Sequence, residues 1–280
     1  MKRTASRRAQ RAVQPARSAA VAPVDRHTLY ELCVQSTTHV VPFLRAIHGR
    51  EPVIFAEDFC GTAAMSRAWV TRVKGGRAIA VDHDPEPLAR ARGHARVRVI
   101  RGDVFTATNP KRDAADIVFV GNFSIGEIHD RPRLVGYLRR CRARLRPGGV
   151  FICDTYGGES AFTVGAVHRM NPGPGPCRTR YTWEQRTADP ATGRVVNAMH
   201  FRVDRAGSIE LALHDAFVYD WRLWSVPELR DALTEAGFTS TAVYGKMPDA
   251  VDTDGRAYVA PITDPGELGP SFIVCVVGRT

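Results

Sequence analysis

Long hydrophobic runs are missing from this 280-residue chain: none approaches the ~20 apolar residues that a membrane-spanning helix requires. Paired cysteines are missing as well. Cys33, Cys60, Cys141, Cys153, Cys177 and Cys275 stand far apart with no CxxC spacing, which excludes a zinc-finger set and a disulfide framework and leaves no metal site in view. A reducing, cytoplasmic setting is the expectation. Neither GxGxxG nor GxxxxGKS/T occurs, so two glycine loops that cradle phosphates are excluded. Acids are absent from two stretches. Residues 1–24 carry Lys2, Arg3, Arg7, Arg8, Arg11 and Arg17, and Arg131 to Arg146 holds seven arginines; thirteen charges against a net of +10 leave the remainder at −3. The first stretch lacks the apolar core of a secretory signal and reads as a disordered basic arm, with a transit peptide as the alternative.

What is present is ordinary globular composition, 44% hydrophobic and 24% charged, enough for one large domain. Residues 25–48 read as helical, with Leu29, Leu32, Cys33, Val40, Phe43, Leu44 and Ile47 spaced by threes and fours. Short apolar runs then recur: VIFA (53–56), AIAV (78–81), VRVI (97–100), IVFV (117–120) and VFIC (150–153), each followed by a turn and a helical stretch. Near-continuous apolar strands alternating with helices predict a parallel sheet covered on both faces. With strands near 241–245 and 272–277, the expectation is a doubly wound α/β fold with a mostly parallel seven-stranded sheet. Asp84-Pro85 and Pro132 open helices, Pro147-Gly148-Gly149 closes one, and Ser225-Val-Pro-Glu228 is a capping box. After a Pro/Gly loop at 171–176, alternating segments at 179–186, 195–203 and 211–221 predict an inserted antiparallel β lid. The expected organisation is a basic arm (1–24), a ligand-binding core (25–156), a lid (157–224) and a closing helix with the last strands (225–280).

The most informative stretch is VIFAEDFCGTAA (53–64), a strand that ends in acids and passes through small residues into a helix N-terminus. Glu57-Asp-Phe-Cys-Gly-Thr-Ala63 resembles the first motif of class I S-adenosylmethionine-dependent methyltransferases, acid-x-Gly-x-Gly-x-Gly. Glu57 takes the acidic place, Gly61 the central glycine, and Phe59 and Ala63 replace the outer two. The resemblance covers about residues 53–154 and implies that Phe59, Cys60, Gly61, Thr62 and Ala63 meet the methionine part of S-adenosylmethionine. It further implies that Asp82, ending AIAVD, holds the ribose hydroxyls beside His83, and that Asp103 and Val104 lie near adenine. A carboxylate on a vicinal diol makes two charge-assisted hydrogen bonds, which explains the residue type. Three acids at the ends of successive strands converge on the crevice where doubly wound sheets bind ligands.

After the fourth strand comes Gly121-Asn-Phe-Ser124, where the family meets its acceptor. Asn122 matches the first position of the Asp/Asn-Pro-Pro-Tyr/Phe motif of amino-group methyltransferases, without its prolines. Asn122, Glu127 and His129 are the candidate catalytic groups; for His129, a helix-start histidine bonded to backbone is the equal alternative. The lid contributes Tyr181, Trp183, Tyr219, Trp221, Arg222 and Trp224 as candidate acceptor contacts, against plain packing of a small sheet; Tyr219, Trp221 and Leu223 share one face and Asp220, Arg222 and Trp224 the other. Tyr30 and Gln35 either close over the cofactor or belong to a buried amphipathic helix. Leu134, Tyr137, Leu138, Cys141 and Leu145 form an apolar stripe, so the arginines of 131–146 read as a solvated face, with a nucleic-acid patch as the alternative. Methyl transfer to the N or O atom of a small molecule is the leading expectation. RNA or DNA methylation, nicotinamide-dependent oxidoreduction and a catalytically silent binding module remain as alternatives.

Overall fold

The computed structural model describes residues 24–35 and 37–280. The basic arm expected over 1–24 lies, but for Val24, outside the described residues. The helix expected over 25–48 is two helices, α1 (Arg26–Cys33) and α2 (Thr37–His48). They serve different bodies: Val41, Phe43, Leu44 and Ile47 of α2 enter the main core, whereas Leu29 of α1 packs under the lid.

The expected alternation follows as β1 (Ile54–Asp58), α3 (Ala64–Arg72), β2 (Arg77–Asp82), α4 (Pro85–Leu88), β3 (Val97–Arg101), β4 (Ala115–Val120), α5 (Arg131–Arg144) and β5 (Leu145–Gly158). The insertion holds β6 (Gly165–Pro172), β7 (Arg178–Asp189), β8 (Arg194–Arg205) and β9 (Ser208–Arg222). The chain closes with α6 (Val226–Glu235), β10 (Ser240–Gly245), a hairpin of β11 (Ala250–Val251) and β12 (Ala257–Tyr258), and β13 (Ser271–Arg279). Seven strands pair in the order β10-β13-β5-β4-β1-β2-β3, with β13 antiparallel to β5 and β10 and the other pairs parallel. The doubly wound, mostly parallel expectation is met. One face is buried with α2 and α3 around Phe55, Trp69 and Ile117, the other with α5 and α6 around Leu134, Leu138 and Phe151.

Helix α5 departs from the expectation of a purely solvated arginine face. Arg144 is buried, because it falls three residues past Cys141 and seven past Tyr137, on the apolar stripe itself. Its guanidinium donates to both Asp58 oxygens at 3.0–3.1 Å, and the Tyr137 hydroxyl donates to Asp58 Oδ2 at 2.8 Å. A buried cation is tolerable only when paired in this way.

The insertion is a four-stranded antiparallel sheet ordered β6-β7-β8-β9. Strand β6 was not anticipated: it is an edge strand of exposed and half-buried residues, with little alternation to betray it. Tyr181, Trp183 and Gln185 of β7, Asn197, Met199 and Phe201 of β8, and Phe217, Tyr219 and Trp221 of β9 lie opposite one another on the inner face. No helix among the described residues is long and apolar enough to cross a membrane.

Candidate active site

The turn after β1 is built against ordinary backbone preference. Phe59, Gly61 and Ala63 are all left-handed, with φ of 55°, 52° and 56°. Two of the three carry a Cβ, at a cost of roughly 1–2 kcal/mol each. Left-handed backbone thus stands at all three positions that the resemblance aligns with glycines, two of them occupied by Phe59 and Ala63. Asp82, at the end of β2, fixes this turn: Oδ2 accepts from Gly61 N at 2.7 Å and Oδ1 from Asp84 N at 3.0 Å. Each oxygen keeps further acceptor capacity. Among the described residues, a Cβ at Gly61 would meet nothing within 4 Å, so the site beside it is open, and the buried Thr62 hydroxyl has no partner.

Glu57 does not face the open side. It is buried and accepts from Ser66 N (2.8 Å) and Ser66 Oγ (2.6 Å), tying the end of β1 to α3. Burial pushes its carboxyl up to about 7, against the opposing hydrogen bonds of Ser66. Burial likewise raises the thiol of Cys60 far above its ordinary range, so that it stays protonated. Asp103 is exposed and its Oδ1 accepts from Phe105 N at 2.8 Å; the Val104 side chain is buried. His83 is exposed, with Nδ1 3.9 Å from Asp82 Oδ1.

At the end of β4, Asn122 (φ 56°) and Phe123 (φ 63°) are consecutive left-handed residues. Both amides donate to Asp154, buried in β5 one residue past its last pairing with β4: Asn122 N to Oδ2 at 3.1 Å and Phe123 N to Oδ1 at 2.7 Å. Lys246, just past β10, completes the group, with Nζ 3.1 Å from Asp154 Oδ2 and 4.9 Å from the centre of the Phe123 ring. Sequence reasoning missed Phe123, Asp154 and Lys246. Asp154 ends the apolar run VFIC, the same signal that singled out Asp82, whereas Lys246 gave no signal beyond being one of four lysines.

The other two catalytic candidates are engaged with the lid. Glu127 Oε1 accepts from Trp221 Nε1 at 2.6 Å, and His129 Nε2 lies 2.7 Å from the Asp220 carbonyl. A carbonyl only accepts, so Nε2 carries a proton and cannot take one; of the two readings of His129, the backbone-bonded one fits. Gly126, one residue before Glu127, lies against β9, where a Cβ would come within 2.9 Å of Trp221 Cβ.

Phe123 packs edge-on against Tyr156, Trp183 and Trp221, at 5.1, 6.1 and 6.2 Å between ring centres, and Tyr219 stacks on Trp221 at 4.5 Å. Trp183 and Tyr219 are half-buried, while Tyr181 and Trp221 are buried. Trp224 is a correction: β9 ends at Arg222, and Trp224 turns into the α5–α6 core, donating to Ile128 O at 2.8 Å. Arg222 stacks on it at 3.8 Å and donates to Glu228 Oε1 at 3.1 Å. Arg222 lines a cavity of about 400 Å³ with Tyr156, Phe162, Leu223, Phe272 and the start of α6. None of Glu57, Gly61, Asp82, Asp103 or the arginines of 131–146 lines it.

Helix α1 spans from lid to core. Tyr30 meets Phe217 edge-on at 5.1 Å, Arg26 donates to Ala216 O at 3.4 Å, and Arg26 and His27 both pair with Glu86 of α4. Burial, with the phenols of Tyr219 and Tyr181 and the charge of Asp154 nearby, holds the Tyr30 hydroxyl protonated far above its ordinary range. Gln35 is half-buried, and its Oε1 has no partner among the described residues.

Residues 58–149 match the family model of a methyltransferase domain. No curated protein matches the chain in sequence. Among solved structures, an S-adenosylmethionine-dependent methyltransferase from Clostridium acetobutylicum is 15% identical and covers 90% of this chain and 96% of its own, with a TM-score of 0.60. An amino pentose methyltransferase from Micromonospora echinaspora involved in calicheamicin biosynthesis is 17% identical over 91% of this chain and 96% of its own, with a TM-score of 0.62. A sugar N-methyltransferase from a Streptoalloteichus species is 16% identical over 98% and 100%, with a TM-score of 0.60. At such identities the likeness establishes a shared fold.

Proposed function

We propose, for a chain that carries a methyltransferase domain on the class I S-adenosylmethionine-dependent methyltransferase fold, that it methylates an amino or hydroxyl group of a small, sugar-like molecule. The observation that carries this reading is the Asp82-fixed turn, whose backbone follows the glycine motif at Phe59, Gly61 and Ala63. The residues fit the cofactor: space beside Gly61, an unpartnered Thr62 hydroxyl and a carboxylate with acceptor capacity remaining. In this reading Asp82 and His83 flank the ribose, Asp103 and Val104 the adenine, and residues 59–63 the methionine part. Tyr30 closes the same crevice from α1.

Bound there, S-adenosylmethionine would supply a methyl carbon to an acceptor lone pair in line with the breaking bond to sulfur, with S-adenosylhomocysteine as the leaving group. The chain's own contribution is positioning and exclusion of water. Phe123, Trp183, Tyr219 and Trp221 form an aromatic wall suited to the apolar face of a sugar ring, with Tyr181 behind it. Asn122 offers an amide at the methyl end, and Glu127, held by Trp221, and Nδ1 of His129, whose Nε2 is committed to Asp220, are the candidates to receive a proton. The likeness to an amino pentose methyltransferase and a sugar N-methyltransferase favours a nitrogen acceptor. Residues 25–156 and 225–280 then form the cofactor-holding body, and 157–224 the unit that recognises the acceptor.

The test is calorimetry with S-adenosylhomocysteine, followed by mass spectrometry of a panel of nucleotide-linked amino sugars incubated with protein and S-adenosylmethionine. Micromolar binding and a gain of one methyl on a panel member support the reading. Absence of cofactor binding to the unsubstituted protein sinks it.

A further inference from the structure

Three chain segments that are remote in sequence meet at one buried carboxylate. Asp154 is 3% exposed and sits in β5 one residue past the last pairing with β4, where both of its oxygens are committed. Oδ1 takes the amide of Phe123; Oδ2 takes the amide of Asn122 and the ammonium of Lys246. The two amides belong to consecutive left-handed residues, a conformation that a bulky side chain such as Phe rarely adopts unless its surroundings impose it. Here the imposing group is visible. The carboxylate forks to both amides, and Lys246 neutralises it while lying against the Phe123 ring.

We propose that Asp154 and Lys246 are a positioning pair for methyl transfer, a charge-balanced clamp that sets the Asn122–Phe123 turn and so the floor of the acceptor pocket. This rests on the methyltransferase reading. Asp154 contributes by fixing two backbone N–H groups and does not touch the acceptor. Lys246 has two effects: it removes the penalty of an isolated buried carboxylate, and it closes the outer side of the Phe123 ring. The clamp assigns this role to a residue on the loop after β10, outside the region that the methyltransferase domain model matches. Without Lys246, the carboxylate would draw in water or a proton, either of which loosens its hold on the amides.

The decisive measurement is hydrogen exchange on the full chain, compared among the unsubstituted protein, Lys246→Met, Lys246→Arg and Asp154→Asn. Exchange at Asn122 and Phe123 should quicken at least tenfold in K246M and D154N, and K246R should recover most of the protection. Amides of β1 and β2, and the affinity for S-adenosylhomocysteine by calorimetry, should stay within about threefold. Turnover of a nucleotide-linked amino sugar should fall at least tenfold in kcat in K246M, with the KM for S-adenosylmethionine little changed. Unchanged exchange at Asn122 and Phe123 in K246M overturns the clamp, as does an increase spread evenly over the whole sheet. A protein that binds no S-adenosylhomocysteine would sink the methyltransferase reading instead, and the exchange data would still decide on the clamp.

Discussion

Replacing Arg144 with Met removes one half of a buried ion pair and tests how α5 is fastened to the turn-bearing strand. Asp58 has no exposed side-chain surface and Arg144 only 2%, and three guanidinium contacts of 3.0–3.1 Å join them. The substitution leaves the Asp58 carboxylate with the Tyr137 hydroxyl alone, and orphaning one partner of such a pair costs about 3–5 kcal/mol. The packing of the Arg stem is largely kept by Met, so this electrostatic cost should dominate. At roughly 2–4 °C per kcal/mol, the melting temperature should fall by roughly 6–20 °C. Asp58→Asn, which strands the cation instead, should cost a similar amount. The double variant D58N/R144M carries no buried charge and keeps an acceptor for Tyr137, so it should lie within about 2 kcal/mol of the parent. Urea unfolding of all four proteins by circular dichroism closes the cycle, with an expected coupling of at least about 3 kcal/mol. A loss under about 1 kcal/mol in R144M would refute the reasoning, and so would a double variant whose loss equals the sum of the singles.

Asp82→Ala deletes the acceptor that fixes Gly61 N and the proposed ribose contact; two hydrogen bonds to a charged group, at about 1.5–3 kcal/mol each, predict at least a hundredfold weaker S-adenosylhomocysteine binding by calorimetry. Glu57, raised by burial from 4.5 to about 7, favours folding fully only below its unfolded value. Stability should therefore fall between pH 4.5 and about 7 and level off above; urea midpoints measured from pH 4.5 to 8 should show this slope, and Glu57→Gln should abolish it. Trp221→Phe loses the 2.6 Å bond to Glu127 and buried ring volume, and should cost about 1–3 kcal/mol in the same unfolding assay.

Much of the fold was legible because a parallel sheet buried on both faces must be written as short continuous apolar runs, and β1 to β5 were. Caps such as Asp84 and the Ser225–Glu228 box were legible because they act within three residues. The contacts that escaped notice are long-range. Arg144 finds Asp58 across 86 positions and Lys246 finds Asp154 across 92, and neither pairing leaves a local pattern. Alternation correctly placed Tyr219 and Trp221 on one lid face, yet it misplaced Trp224, because alternation holds only while the strand lasts and β9 stops at Arg222. The glycine-motif turn was read from Glu57 and Gly61; that Phe59 and Ala63 keep the left-handed backbone follows from Asp82 and the surrounding packing, which composition does not record.

The two ties between β9 and the segment after β4, Trp221 to Glu127 and Asp220 to His129, have a mechanical meaning. They fasten the lid at two points within three residues of one another, one on a side chain and one on the backbone. A short segment held at two such points cannot pivot about either, so the lid works as a lever rigidly joined to the loop that ends in Asn122 and Phe123. Under the proposed reading, an acceptor held against the inner face of the sheet would bear through these ties on the loop that carries Asn122 and Phe123.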